Sequence, residues 1–231
     1  MCYHYSLVAT PDELAARYRK RNAEIENYRK TYHISAFTHA ECPVVTADPE
    51  IRMFRWGLVP FWTKNVEETL TIRNRTINAR SESVFSKPAF REAVKRKRCL
   101  VPATGFYDWR HEDGKKIPYL ISLKQEGIFS FAGIYDTWHN PVTDEQLHTF
   151  SILTTDANPM MRYIHNTNFR MPVILHENEE SLWLDPMSDE STLTKLFTPY
   201  DESEMQAYRV DPGFLKRNPQ DPWIVERIGT T

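Results

Sequence analysis

The sequence is poor in cysteine, with only Cys2, Cys42 and Cys99 among 231 residues. They are odd in number, widely spaced and form no CxxC pair. That argues against a disulfide framework or a zinc ribbon and for a reducing, cytoplasmic setting. Long apolar runs are missing too. No stretch approaches the ~18 residues that a spanning helix needs, and no basic-then-apolar leader opens the chain, so no membrane partner is expected. The eight histidines include no HExxH and no clustered ligand spacing, so neither a metal nor another cofactor is expected. A GxSxG elbow, a P-loop and a dinucleotide fingerprint are also absent. Nothing in the sequence implies an oligomer.

What is present is ordinary in bulk: 41% hydrophobic and 26% charged residues, with a formal net charge of −2. That composition suits a globular chain with a real core. The charge is unevenly spread. Arg73, Arg75, Arg80, Lys87, Arg91, Lys95, Arg96, Lys97 and Arg98 are opposed only by Glu82 and Glu92, whereas between Glu177 and Glu204 acids face one lysine, Lys195. One face turned toward a polyanion would be encoded this way. A solvated basic helix, REAVKRKR, explains the same run.

Periodicity and turn signals organise the chain. TPDELAARYRKRNAEIENY predicts a helix over 10–28, with Thr10 as cap, Pro11 in the first turn and Glu13 completing a capping box. Leu14, Tyr18, Ile25 and Tyr28 share its inner face. CPVVTADPEIRMFRWGLVP predicts a hairpin around Asp48-Pro49-Glu50. PYLISL, IFSFAGIYDTW and HTFSILTTDA read as strands between turns at Glu112-Asp113-Gly114, Gln125-Glu126-Gly127 and Asn140-Pro141. Short helices are expected near Ser86-Lys87-Pro88, Ala157-Asn158-Pro159 and Glu179–Leu184. Many strands without βαβ alternation predict an α+β fold, a single domain over 1–231 with a mostly antiparallel, barrel-like sheet flanked by short helices.

Several segments then resemble one family in the same order: Met1-Cys2, RWGLVPFW at 55–62, INARSES at 77–83, AFREAVKRKRCLVPATGFYDW at 89–109, ILTTDAN at 152–158 and IHNTNFRMPVIL at 164–175. Together they are similar to the SRAP family, the SOS response-associated peptidases, also described as abasic-site processing proteins. The match runs from residue 1 to about 175, and residues 176–231 are looser.

The resemblance implies a protein that senses abasic sites in single-stranded DNA and bonds covalently to them through Cys2 once Met1 is removed, at the nucleoid on DNA damage. The chemistry is consistent with that. An opened abasic sugar is an aldehyde, an α-amine near ~7.7–8 is partly neutral at pH 7, and the two condense to a Schiff base. The thiol of the same residue can then close a thiazolidine, an intramolecular step. By the same resemblance Asn78 orients the sugar or the terminus. Asp108, aspartate where the family usually carries glutamate, shuttles protons in self-processing and in imine chemistry. His165 acts on the sugar hydroxyl, here with two extra residues before the Arg-Met-Pro segment. Arg80, Trp62, His4 and Arg98 are the expected DNA contacts, Trp62 by stacking or wedging and His4 as a pH-dependent phosphate partner. Two alternatives stand beside this one: a cysteine peptidase using Cys2 as thiolate, and a non-covalent single-stranded DNA reader.

Overall fold

The computed structural model describes residues 2–229. In chain order they form β1 (His4–Leu7), α1 (Pro11–Tyr18), β2 (Thr31–Ser35), β3 (Glu41–Val45), β4 (Ile51–Trp56), α2 (Val66–Arg73), β5 (Asn78–Arg80), α3 (Arg91–Arg96) and β6 (Arg98–Ala103). There follow β7 (Gly105–Glu112), β8 (Lys115–Leu123), β9 (Phe129–His139), β10 (Gln146–Asp156), α4 (Pro159–Ile164), β11 (Arg170–Pro172), β12 (Ile174–Leu175), α5 (Glu177–Leu184), α6 (Glu190–Thr194) and β13 (Met205–Arg209).

β4, β3, β6, β9 and β10 pair in that order, and β10 pairs back with β4, so these five strands close into a barrel. Closure leaves those strands no free edge to template aggregation. β5 and β11 extend the barrel along β10, and β12 extends it along β9. A second, antiparallel sheet runs β13-β8-β7-β1-β2. Among the strand pairs of the described residues, only those of β10 with β4 and β5 are parallel. The fold is therefore α+β, mostly sheet, with a barrel and short helices, as the strand-rich pattern predicts.

The two sheets share one core. Tyr5 of β1 and Phe106 of β7 meet Phe131 of β9 edge-on, at ring separations of 6.0 and 5.9 Å. Such pairs add about 0.5–1.5 kcal/mol beyond area burial, and they tie the open sheet to the barrel wall. Cys2 belongs to the same core, 1% exposed.

Local chemistry sets the element ends. The capping box at Thr10 and Glu13 forms as the residues predict. The helix, however, stops at Tyr18 rather than running to residue 28. Arg19 takes the left-handed conformation (φ 53°) as its C-cap, and Arg21 bridges to Glu50 beside β4. Ile25 then reaches the core from a separate turn of 3₁₀ helix. The Asp48-Pro49-Glu50 hairpin joins β3 to β4 with Val45 opposite Ile51. Asn158 caps α4 by accepting from the Met161 amide at 2.8 Å, with Pro159 behind it. Near Ser86-Lys87-Pro88 the helix begins only at Arg91. No helix among the described residues is long and apolar enough to cross a membrane.

Candidate active site

Cys2 sits two residues before the start of β1, in a place fixed from both sheets. Asn78, the first residue of β5, donates through Nδ2 to the Cys2 carbonyl at 2.8 Å. β5 can be that short because the parallel pairing of Asn78 with Ile152 of β10 anchors it to the barrel. The Asn78 Oδ1 atom is buried and has no hydrogen-bond partner among the described residues. A buried amide oxygen left unmatched costs about 1–3 kcal/mol unless a ligand supplies a donor.

Asp108 enters from β7, two strands from the edge of the open sheet and directly beside β1. It is 7% exposed. One carboxylate oxygen accepts from the Trp109 amide at 2.8 Å, and the other lies 3.4 Å from Nδ1 of His165. Burial pushes the Asp108 pKa up, while the charges of His165 and His111 and the Trp109 amide pull it back. The carboxyl is thereby brought toward the range in which it can both give and take a proton.

His165 closes α4 and is buried. Its Nδ1 lies 3.0 Å from the Arg170 carbonyl. A carbonyl can only accept, so that contact places the hydrogen on Nδ1 and makes Nε2 the basic nitrogen. The long spacing between His165 and Arg170 is absorbed by a turn in which the Phe169 amide returns to the His165 carbonyl, with Phe169 at φ 52°. Within that turn Asn166 clamps the backbone of His111 from both sides, at 3.0 and 2.8 Å. The turn that carries His165 is therefore fastened to the strand that carries Asp108.

Burial dominates the thiol. The Cys2 sulfur contacts the His4 carbonyl at 3.8 Å, and desolvation pushes its pKa from an ordinary 9.0 to about 12. Near pH 7 the sulfur is a thiol, not a thiolate. A cleft of about 370 Å³ opens beside these groups, with Asp108, His165, Tyr3, Trp109, His111 and Lys116 among its walls.

The structure brings Cys2, Asn78, Asp108 and His165 together. Arg80 is exposed at the end of β5, and its charge reaches the Tyr3 hydroxyl. Trp62 is 45% exposed but lines a different cleft, against α2 with Lys64 and Arg75. Two expected DNA contacts need correction. Arg98 is 4% exposed and spends its guanidinium on the carbonyls of Val94, Lys95, Trp183 and Asp185. It caps the end of α3 and ties it to α5, so no phosphate reaches it. His4 is buried, its Nδ1 2.8 Å from Nε2 of His33, and desolvation holds its pKa down at about 3. It is neutral at physiological pH and cannot serve as a phosphate cation.

Sequence reasoning also passed over Arg170 and Glu82. The Arg170 guanidinium is 2.5 and 3.1 Å from the two Glu82 oxygens and also reaches Asp156 and the Thr154 carbonyl. This pair locks INARSES to the Arg-Met-Pro segment and holds the carbonyl that orients His165. Two oppositely charged residues inside two separate motifs were the available signal. Among the described residues no group of three or more His, Cys, Asp or Glu is placed to hold a metal.

The family profile described as SOS response associated peptidase (SRAP) matches residues 1–214. The chain belongs to the SRAP family. A relative named abasic site processing protein YoqW, from Bacillus subtilis (strain 168), is 41% identical over 174 residues, 74% of each chain. The abasic site processing protein HMCES of Gallus gallus is 33% identical over 167 residues, 64% of this chain and 48% of that one. A crystal structure of a Bacteroides thetaiotaomicron protein superposes with a TM-score of 0.97 at 45% identity, over 98% of this chain and all of that one. A crystal structure of a Bordetella bronchiseptica protein shares the fold, with a TM-score of 0.79 at 23% identity over 91% of this chain and all of that one.

Proposed function

We propose that this SRAP protein processes abasic sites in single-stranded DNA by capturing them covalently through Cys2, after hydrolysis of the Met1–Cys2 bond. The α-amine of Cys2 adds to the sugar aldehyde and the carbinolamine loses water to give an imine. The thiol then adds across C=N: sulfur bonds to carbon, its proton passes to nitrogen, and a thiazolidine forms with one water released overall. Asp108 carries protons to and from the amine in both the hydrolysis and the imine step. His165 uses Nε2 on the sugar hydroxyl to help open the ring, and the Asn78 amide holds the Cys2 backbone while its unmatched oxygen accepts from the substrate. Arg80 is the phosphate contact beside the site, and Trp62 stacks on bases farther along the strand.

The observation that carries this reading is the gathering of Cys2, Asn78, Asp108 and His165 in one place, with the Asn78 amide on the Cys2 carbonyl at 2.8 Å and Asp108 3.4 Å from His165 Nδ1. A peptidase acting by thiolate attack needs the ionised form, whereas the amine-first route uses the thiol only after an imine exists. A thiol held up at about 12 favours the second. The relatives' printed names point to the same substrate class.

The test is a denaturing gel. Protein with Met1 removed is mixed with an oligonucleotide carrying one abasic site, beside Cys2→Ala and an N-acetylated control. A heat-stable shifted band for the processed wild type alone is expected. Absence of that band, with Met1 shown by intact mass to be gone, would overturn the covalent reading and leave a non-covalent reader of single-stranded DNA. A band that persists after N-acetylation would instead point to thiolate chemistry.

A further inference from the structure

We infer that the cleft beside Asp108 and His165 seats one nucleotide of the strand flanking the abasic sugar, its phosphate on Lys116 and His111 and its base between Tyr3 and Trp109. The inference rests on the reading above and assigns the path by which the strand leaves the reacting sugar.

The first argument is size and lining. At about 370 Å³ the cleft lies at the small end of ligand pockets, which run ~300–1,000 Å³. That is room for a single nucleotide rather than a run of them. Tyr3 and Trp109 supply aromatic walls, and aromatic faces stack on any base without sequence preference.

The second argument is charge. His111 and Lys116 stand opposite each other across the β7–β8 ladder, both exposed and both on the cleft. The neighbouring cation of that hairpin, Arg110, is already occupied by Glu112 and by the ring and carbonyl of Tyr163. Lys116 has no ion-pair or hydrogen-bond partner among the described residues, so its charge is available. Arg80, exposed at the end of β5, is close enough to Tyr3 for its charge to act on the hydroxyl, against that of Asp108. Lys116 on the cleft and Arg80 near Tyr3 are two cations for which the described residues show no ion pair, and both can meet a phosphodiester.

The third argument is rigidity. The double clamp of Asn166 on His111 fixes the hairpin against the turn that bears His165. A phosphate bound at Lys116 would therefore position the adjoining sugar with little ordering of the backbone.

The experiment measures non-covalent affinity against salt, using full-length protein and oligonucleotides bearing a tetrahydrofuran abasic analogue, which cannot form an imine. One strand extends on both sides of the analogue, one only on the 5′ side and one only on the 3′ side. For Lys116→Ala the slope of log K against log salt is expected to become shallower by about 0.7, the loss of one single-strand phosphate contact. The change should occur on the two-sided strand and on only one of the one-sided strands. Lys195→Ala, on the acidic segment, should leave all three slopes unchanged. Slopes equal to wild type on every strand, or equally reduced on both one-sided strands, would overturn the inference. If wild type crosslinks natural abasic DNA while Lys116→Ala changes nothing, this inference falls alone. Wild type that neither crosslinks abasic DNA nor binds the analogue would overturn the functional reading and this inference with it.

Discussion

Cys2, the proposed nucleophile, sits in surroundings that withhold its charge. Raising the thiol from 9.0 to about 12 means that ionising it in place costs about 4 kcal/mol more than in water. The sign follows directly. The folded pKa lies above the unfolded one, so burial of the neutral thiol contributes stability that is complete below pH 9 and is lost as pH rises from 9 toward 12. In the unprocessed chain, iodoacetamide labelling at Cys2, located by peptide mapping, should stay flat through pH 9 and climb only above it. A labelling profile with its midpoint near 9 would show the sulfur to be ordinarily ionisable, and would favour the thiolate peptidase reading. The same residue-level logic separates the basic side chains. Arg98 and Lys116 are equally cationic in sequence, yet one is sealed under four carbonyls and the other stands on an open cleft. Charge alone does not say which is which, because the basic run from Arg91 to Arg98 covers both faces of α3 and the start of a buried strand.

At the scale of elements, the loop that presents Phe61 and Trp62 depends on one carboxylate of β9. Asp136 is buried and accepts from the Phe61 amide at 2.9 Å, the Thr137 amide at 2.8 Å and the Lys97 ammonium at 2.6 Å. Asp136→Ala strands two amides and a cation at once, which should cost about 3 kcal/mol. For a chain of this length that is roughly 6–12 °C in Tm, and Trp62 fluorescence should become more accessible to acrylamide quenching. A Tm within a degree of wild type would mean that water replaces the carboxylate and that the loop is held by other contacts. Elements such as this mark the boundary of what sequence could reveal. Hairpins, the Thr10 capping box and the helix start near Asn158 were legible because their determinants lie within a few residues. The end of α1 was not, because Arg19 adopts a left-handed cap that its side chain does not advertise. Nor was β5: its three residues carry no alternation of their own and are strands only because β10 lies alongside. The proposed catalytic positions came from family motifs, and the fold brings Cys2, Asn78, Asp108 and His165 together. The His4–His33 pair, 29 residues apart in sequence, and the Glu82–Arg170 bridge exist only once the chain is folded, so His4 read as an available cation.

The whole molecule couples barrel closure to the site along a single row of backbone pairs. Cys99 of β6 lies opposite Gly133 of β9, Gly133 opposite Ile152 of β10, and Ile152 beside Asn78 of β5, which holds the Cys2 carbonyl. Gly133 is the tight point of that row. A Cβ there would come within 2.8 Å of Val101 Cγ2 and 2.9 Å of the Cys99 sulfur, closer than side chains normally approach. Those neighbours are buried side chains of the adjacent barrel strand, so relief requires them to rotate or β6 and β9 to ease apart. Gly133→Ala should therefore destabilise by about 1–3 kcal/mol, the range for overpacking a filled core. Because the strain lies in register with Asn78, the crosslinking rate of the folded fraction should fall as well. Gly114→Ala is the control: its turn is open around the new methyl, and although its positive φ carries a strain cost, it lies at the tip of the β7–β8 hairpin, off that row. Thermal melts and single-turnover crosslinking of the two variants separate the possibilities. Gly133→Ala with lowered Tm but wild-type rate would mean that the barrel absorbs the strain before it reaches β5. Lowered Tm together with a slower rate would mean that the placement of Asn78, and through it of Cys2, is set by how tightly the barrel closes.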